Sequence, residues 1–291
     1  MVQQLFPMSF APHRASWTPV ILCEGETATA AAPTGMTDRP RDSPKDRETE
    51  QRRLTPEQAD RLPRVHRLLL GHYGEPRPRS VRDPLTQLIA CLLASRTQAA
   101  AAQQAMRELE RAFRAGAGNW EPVRDASIAE IERAIAAVAF PEQKALRLKA
   151  LLEEITARVG ALTLEFLARY RTEKIRAWLE QFEGVGRQIS AEVVCFSTLR
   201  RHALPIDAGH LRVAQRLCLT PRADAATTEE RLMRLVPETW DAARLEEHHR
   251  LVQIHAQTLC RFEDPGCGQC PLLAVCPSGE RRQGELRLTG K

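Results

Sequence analysis

Residues 172–196 read TEKIRAWLEQFEGVGRQISAEVVCF, and this segment predicts two helices joined by a very short turn. Apolar residues recur at helical spacing on both sides of the turn, and the first helix is expected to end near Phe182. Residues 184–186, Gly-Val-Gly, form the turn, and the second helix is expected to begin at Arg187. Glycines at the start of a helix let backbone N–H groups approach an anion such as a phosphate. A Gly-x-Gly turn alone does not decide between an anion site and an ordinary turn.

Helix signals continue through the rest of the chain after residue 54. Four helix starts are predicted from capping residues, at Thr55-Pro56, at Asp83-Pro84, at Ser127 with Glu130, and at Thr227 with Glu230. Apolar residues then recur at helical spacing, as in Leu85, Leu88, Ile89, Leu92 and Leu93. Few stretches alternate as strands do. The sequence therefore predicts an all-α fold.

The composition along the chain predicts four regions. Residues 1–54 are polar, of mixed charge and without an apolar period, so we expect a disordered extension. Residues 83–200 are expected to form one helical lobe. Residues 55–82 and 201–281 are expected to form a second lobe, and the arginines in 282–291 indicate a flexible basic tail.

The overall charge is mildly basic. Lys and Arg total 42 against 37 Asp and Glu, for a net charge of +5 and a pI near 8.9. This balance permits a polyanionic partner without requiring one. No apolar run approaches the roughly 18 residues that a membrane helix needs, and the start lacks a signal-peptide layout. A cytoplasmic protein with no membrane partner is expected.

Four cysteines near the end of the chain have the spacing C-x6-C-x2-C-x5-C, at Cys260, Cys267, Cys270 and Cys276. Four thiolates within one short loop fit a single metal centre. Zinc is an alternative, although zinc sites usually present two C-x-x-C knuckles, and two disulfides of a secreted protein are another. The isolated cysteines are expected to be small buried hydrophobes, at Cys23, Cys91, Cys195 and Cys218.

The cysteine spacing resembles the cluster loop of endonuclease III and its adenine-glycosylase relatives. Residues 172–196 resemble the helix-hairpin-helix of DNA glycosylases, and residues 204–213, LPIDAGHLRV, match the catalytic-aspartate segment of that family without a gap. LIACLLASRTQA and FPEQKALRLKAL resemble two further helices of the family. The resemblance extends from about Thr55 to Gly279.

The resemblance implies a two-lobed DNA repair glycosylase that carries a [4Fe-4S] cluster on the four clustered cysteines. It implies that Asp207 stabilises the positive charge left on the sugar while the base lies flipped out of the duplex. Asp207 also has the position of a helix cap, and both roles are compatible. The implied DNA contacts are Gly184, Val185, Gly186 and Arg187. The implied partner is double-stranded DNA with damaged, mismatched or abasic sites, bound by a monomer, and the implied role of the cluster is structural.

Three positions and one loop depart from the family pattern. Gln188 occupies the position of the lysine that forms a Schiff base in bifunctional members, and an amide is not a nucleophile. Ala99 stands where endonuclease III relatives often have an aspartate, and Cys91 where adenine glycosylases place their glutamate. The loop after Cys260 reads RFEDPG, whose acidic residues weaken a DNA contact there.

These departures lead to three hypotheses. The first is a monofunctional glycosylase that uses Asp207. The second is a protein that binds DNA lesions on the same fold without chemistry. The third is a bifunctional glycosylase and AP lyase in which Lys144 or Lys174 replaces the missing lysine.

Three histidines precede the cysteine loop. His248 and His249 are adjacent and flanked by Glu246 and Glu247, so the sequence favours a solvated helix face over a metal site. His255 is expected to pack or form a hydrogen bond near the cysteines.

Overall fold

The computed structural model of the protein describes residues 55–77, 79–116 and 118–289. The predicted disordered extension, residues 1–54, and Cys23 within it lie outside these ranges. Across the described ranges, no helix has both the length and the apolar character needed to cross a membrane.

The described residues form an all-α fold without a β-strand, as predicted. Their twelve α-helices are, in chain order, α1 (Pro56–Tyr73), α2 (Pro84–Ala94), α3 (Ala99–Phe113), α4 (Glu121–Asp125), α5 (Ile128–Ala134), α6 (Pro141–Val159), α7 (Thr172–Leu179), α8 (Arg187–Phe196), α9 (Ala208–Arg216), α10 (Ala225–Leu235), α11 (Ala242–Thr258) and α12 (Pro277–Thr289). Short 3-10 helices cover Glu165–Arg169, Cys267–Gln269 and Leu273–Val275.

Three of the four predicted helix starts are confirmed. Thr55 caps α1 in a capping box with Gln58, and Asp83 caps α2. Ser127 caps α5, and its partner Glu130 completes the second capping box. In each case a side-chain oxygen satisfies an N–H group that the first turn of a helix leaves without a partner.

The fourth predicted start, at Thr227 with Glu230, is wrong by one turn. Helix α10 begins at Ala225 because Asp224 is the N-cap, and its Oδ1 accepts a hydrogen bond from Thr227 N at 2.8 Å. Asp is a better N-cap than Thr, so the earlier residue takes the role.

Two hydrophobic cores hold the helices together. The larger one surrounds α2, which is apolar on nearly every side and packs against α3, α6 and α8. The smaller one joins α1, α9 and α11 to the cysteine loop through residues such as Leu69, Leu251 and Leu272. The larger core also takes Leu62 and Leu245 from segments assigned to the second lobe. The lobe boundaries at 82/83 and 200/201 therefore stay a prediction.

The hairpin between α7 and α8 has the predicted form with an earlier first end. Helix α7 ends at Leu179 instead of near Phe182. The turn occupies the extra residues, and Val185 N donates to Phe182 O at 3.1 Å while both side chains are buried. Gly184 has a φ of 83°, a backbone conformation that is unfavourable for a residue with a side chain. Helix α8 begins at Arg187 as predicted.

Among the described residues of the chain end, α12 continues as a helix to Thr289, and the flexibility of 282–291 stays a prediction. Pro277 is suited to the first helical position, and the residues after Gly279 include good helix formers such as Glu, Arg, Gln and Leu. These local preferences extend the helix beyond the cysteine loop.

Candidate active site

Asp207 is the N-cap of α9, the structural role expected from its position. Its Oδ1 accepts a hydrogen bond from His210 N at 2.7 Å, and its Oδ2 accepts one from Gln253 Nε2 on α11 at 2.8 Å. The side chain is 19% exposed. A carboxylate at this position is therefore fixed in direction and still accessible on one side.

The surroundings of Asp207 keep its carboxyl group ionised although the side chain is mostly buried. Burial alone would raise the pKa of the Asp207 carboxyl, but the facing His249, the His210 N–H and Gln253 bring this pKa below its usual value. His249 Nε2 lies 3.9 Å from Asp207 Oδ2, and the His249 side chain is 1% exposed. The environment thus favours an ionised carboxylate at neutral pH.

The prediction that His248 and His249 lie on a solvated face is wrong, since both are fully buried. Helix α11 packs against α1, α8 and α9, so adjacent residues of one helix meet different neighbours and neither reaches solvent. The His248 ring lies 5.6 Å from the rings of His66 and of His210. Four imidazoles therefore lie together behind Asp207.

Gln188 is exposed, and its Nε2 donates to Glu192 Oε1 at 2.8 Å, one turn further along α8. Glu192 also contacts the buried thiol of Cys91 on α2, whose pKa burial raises first and the Glu192 charge raises further. Gln87 Nε2 donates to Cys91 Sγ at 3.2 Å. A carboxylate thus reaches position 91 from the neighbouring helix, which sequence reasoning missed. The four-residue spacing of Gln188 and Glu192 was a signal for the contact between these two residues, but not for the contact with Cys91.

Lys144, one of the two amines that could replace the missing lysine, is buried, and its Nζ makes three hydrogen bonds. Its Nζ donates to Leu93 O at 2.8 Å, to Ser95 O at 2.6 Å and to Thr97 Oγ1 at 2.7 Å. Burial lowers the pKa of Lys144 to about 8. Lys174 is exposed, and its Nζ lies 4.7 Å from the centre of the Tyr170 ring.

Two exposed residues beside Lys144 have a left-handed backbone. Arg96 has a φ of 53°, and Phe140, 56% exposed, has a φ of 58°. Ala139 N donates to Thr97 Oγ1 at 3.1 Å, which ties the two turns together. Strained exposed residues of this kind cluster at functional sites, and no sequence pattern indicated them.

The start of α8 is the predicted phosphate contact. Its first N–H groups have no side-chain cap, and a Cβ added at Gly186 would meet nothing within 4 Å. Arg187, 47% exposed, lies 3.3 Å from the carboxylate of Glu229 on α10. Arg176 binds both oxygens of the same carboxylate, which is 8% exposed. This ion-pair network fixes the hairpin to α10 and uses part of the Arg187 charge.

The four predicted metal ligands, Cys260, Cys267, Cys270 and Cys276, lie in one loop and influence one another. The pKa of the Cys276 thiol is raised to about 11, first by burial and then by the charges of the other three cysteines, while a hydrogen bond from Gly279 N lowers it. Nearby donors point at the sulfurs: Arg216 Nη1 lies 3.2 Å from Cys260 Sγ, and Gly279 N lies 3.3 Å from Cys276 Sγ.

The described part of the chain holds no group of three or more His, Cys, Asp or Glu side chains placed to hold a metal ion. Four thiols of one loop, aided by N–H donors, are nevertheless the donor set that an iron-sulfur cluster uses. The chemistry of the residues therefore fits the implied cluster. His255 lies near this loop as expected, since its Nε2 is 3.7 Å from Cys270 Sγ, and its Nδ1 is 3.0 Å from Tyr73 Oη.

Comparison with known proteins supports the sequence interpretation. A family model described as HhH-GPD superfamily base excision DNA repair protein matches residues 89–238, which include the hairpin and Asp207. Endonuclease III of Bacillus subtilis is 35% identical over 106 residues, which cover 36% of this chain and 46% of that protein. The transcriptional activator DEMETER of Arabidopsis thaliana is 28% identical over 172 residues, which cover 54% of this chain and 9% of that protein. The chain thus spans less than half the length of either relative.

Solved structures share the fold. A non-covalent endonuclease III–DNA complex aligns with a TM-score of 0.62 at 21% identity, covering 79% of this chain and 99% of that one. A thermostable thymine-DNA glycosylase aligns with a TM-score of 0.62 at 19% identity, covering 76% and 98%.

Proposed function

Because this chain belongs to the HhH-GPD superfamily of base excision DNA repair proteins, we propose that it is a DNA N-glycosylase of the endonuclease III type. Its substrate would be double-stranded DNA with a damaged or mismatched base, bound by a monomer. The enzyme would act on genomic DNA in the cytoplasm, at the nucleoid if the cell is bacterial. The observation that carries the proposal is Asp207, a fixed and partly exposed carboxylate at the motif position of the family aspartate.

The chemistry follows from the charge of Asp207. Breaking the bond between base and sugar leaves positive charge on the sugar, and a preorganised carboxylate stabilises that charge. The base must first leave the stack, and the open start of α8 would hold the flanking backbone through its N–H groups. Gly184, Val185, Gly186 and Arg187 would make these phosphate contacts.

We propose a monofunctional enzyme because no amine occupies position 188. The Gln188 amide cannot form an imine with the sugar. Lys144 could serve only by giving up three hydrogen bonds. The bifunctional alternative would then depend on an exposed lysine such as Lys174.

The test is base release by Asp207→Asn from duplexes that carry oxidised, deaminated, alkylated or mismatched bases. The amide still caps α9 but carries no charge, so we expect base release to fall by about 100-fold or more while DNA affinity is kept. Asp224→Asn, which changes a cap in α10 in the same way, is the matched control and should leave base release unchanged. Equal rates for wild type and Asp207→Asn would rule out this role of Asp207.

The same assay separates the alternatives. A product that needs alkali for strand cleavage supports the monofunctional enzyme, and cleavage without alkali supports the bifunctional one. Lesion binding without any product would favour a non-catalytic lesion-binding protein, which the loss of the lysine at 188 and the presence of Ala99 make possible.

We also propose that Cys260, Cys267, Cys270 and Cys276 hold a [4Fe-4S] cluster. An all-thiolate cluster has no open position for a substrate, so it would crosslink the loop that packs on α9 and α11. Anaerobically purified protein should contain about four iron atoms per chain. Cys267→Ser should lose iron and unfold at lower temperature, whereas Cys218→Ser, outside the loop, should keep its iron. Stoichiometric zinc without iron would contradict the proposal.

A further inference from the structure

Three groups face the two carboxylate oxygens of Asp207. Oδ1 accepts from His210 N, and Oδ2 accepts from Gln253 Nε2. The third neighbour is His249, one turn before Gln253 on α11, whose Nε2 lies 3.9 Å from Oδ2. A distance of 3.9 Å fits an ion pair and is too long for a direct hydrogen bond.

The other side of the His249 ring fixes where its protons lie. His249 Nδ1 is 3.0 Å from the backbone oxygen of Pro205. A carbonyl oxygen can only accept, so Nδ1 must carry hydrogen. In a neutral ring, Nε2 would then present a lone pair to the negative oxygen of Asp207. That arrangement is repulsive, and a proton on Nε2 removes the repulsion.

We propose that Asp207 and His249 share one titratable proton and that this proton resides on His249 Nε2. His249 is thereby the positioning residue of Asp207. The doubly protonated ring links two points of one segment, the Pro205 carbonyl and the Asp207 carboxylate. It holds the carboxylate in its ionised form in a mostly buried place. The pair follows from geometry alone, and its effect on base release rests on the glycosylase function proposed above.

The surroundings of His249 leave Asp207 as its partner. Helix α8 presents the Phe196 ring, centred 5.4 Å away, which cannot titrate. Helix α9 presents His210, whose pKa burial and the His249 charge lower to about 3. On α11 itself, His248 has a pKa well below the ordinary value because it is buried among three histidines. His66, the fourth imidazole, has a pKa that burial lowers to about 4. These three rings are neutral at neutral pH, so the one positive charge of the cluster belongs to the pair.

The pair predicts how base release depends on pH and on position 249. Once the pair loses its proton at high pH, the charge of Asp207 is no longer compensated and its orientation is lost. His249→Gln keeps a donor for the Pro205 carbonyl without a positive charge. We expect it to lower kcat by about tenfold or more and to remove this pH dependence, with KM and DNA affinity unchanged.

The deciding experiment is nitrogen NMR of the full chain with labelled histidine, at neutral pH, and His249→Gln assigns the signals. We expect both His249 ring nitrogens to be protonated in the wild type, and only Nδ1 in Asp207→Asn. His248→Leu, which changes the adjacent buried ring, should leave the His249 signals doubly protonated. A His249 ring with a single proton in the wild type overturns the proposal.

This readout requires no substrate. A doubly protonated His249 in a protein that releases no base would sustain the pair and reject the glycosylase. Base release that is insensitive to His249→Gln, in a chain whose ring carries one proton, would reject the pair and keep the enzyme.

Discussion

Gln188 is bound to Glu192, and this contact determines what a lysine at position 188 would do. An amine attacks the sugar only in its neutral form. A carboxylate at hydrogen-bond distance stabilises the protonated form instead and raises the pKa of a lysine. The carboxylate of Glu192 therefore opposes the chemistry of the family lysine.

We predict that Gln188→Lys alone gives little borohydride-trapped adduct on an abasic duplex. The double variant Gln188→Lys/Glu192→Gln should give several times more, because the amine loses its stabilising carboxylate. Lys144→Met in the double variant is the control for an endogenous amine and should leave trapping unchanged. Equal trapping by the single and double variants would mean that Glu192 does not control position 188.

The capping role of Asp207 can be predicted from the sequence, whereas the contact of Glu192 with Cys91 cannot. Asp207 lies in a contiguous ten-residue match and at a helix start, so its capping role follows from neighbours in sequence. The Glu192 contact with Cys91 joins α8 to α2 and depends on how the two helices pack. A four-residue spacing indicates a contact between Glu192 and Gln188, but it cannot place Glu192 against another helix.

The hairpin between α7 and α8 uses its two glycines for different purposes. Gly184 has a φ of 83°, and an added Cβ would lie 3.4 Å from Arg147 Cδ. Gly186 has a φ of −94°, and an added Cβ would meet nothing within 4 Å. Gly184 therefore shapes the turn, and Gly186 keeps the approach to the α8 N–H groups open.

We predict that Gly184→Ala lowers the free energy of unfolding by about 1–2 kcal/mol, because alanine is strained in the left-handed region. Gly186→Ala should change it by about 0.5 kcal/mol or less. Gly186→Arg should also fold, but it should bind undamaged duplex more weakly, because its bulk holds phosphate away from the N–H groups. Urea unfolding and a duplex-binding assay check these results. A Gly186→Arg variant with wild-type affinity would place the DNA elsewhere.

Helices were predictable where their ends are marked locally, and less so where their faces depend on packing. Thr55, Asp83 and Ser127 were identified because a cap acts within three residues of itself. His248 and His249 were assigned to solvent because the sequence of α11 does not reveal that three helices surround it. Polar residues were thus read as exposed when they are buried.

The buried histidines link the stability of the whole fold to pH. Burial is the main reason why three histidines have a lowered pKa. The pKa is about 4 for His66, about 3 for His210 and well below the ordinary value for His248. An unfolded histidine has a pKa of about 6.5. Between these values the unfolded chain binds more protons than the folded one, so stability falls as pH falls.

We predict that the free energy of unfolding decreases as pH falls from about 6.5 toward pH 4. Each of the three histidines adds a slope of up to about 1.4 kcal/mol per pH unit. Urea unfolding at a series of pH values measures this slope. His248→Leu should make it shallower, and replacing the exposed His72 should not. A stability that does not change between pH 7 and pH 5 would contradict the prediction.

The ion pair between Arg187 and Glu229 has a consequence for how affinity responds to salt. A cationic side chain that neutralises a phosphate releases a counterion, and each release steepens the loss of affinity with salt concentration. Arg187 already shares the Glu229 carboxylate, and Arg176 binds it from the other side. The hairpin would therefore hold its ligand mainly through backbone N–H dipoles, which release no counterion. Duplex binding should thus survive an increase in ionic strength better than the arginine count of the chain suggests.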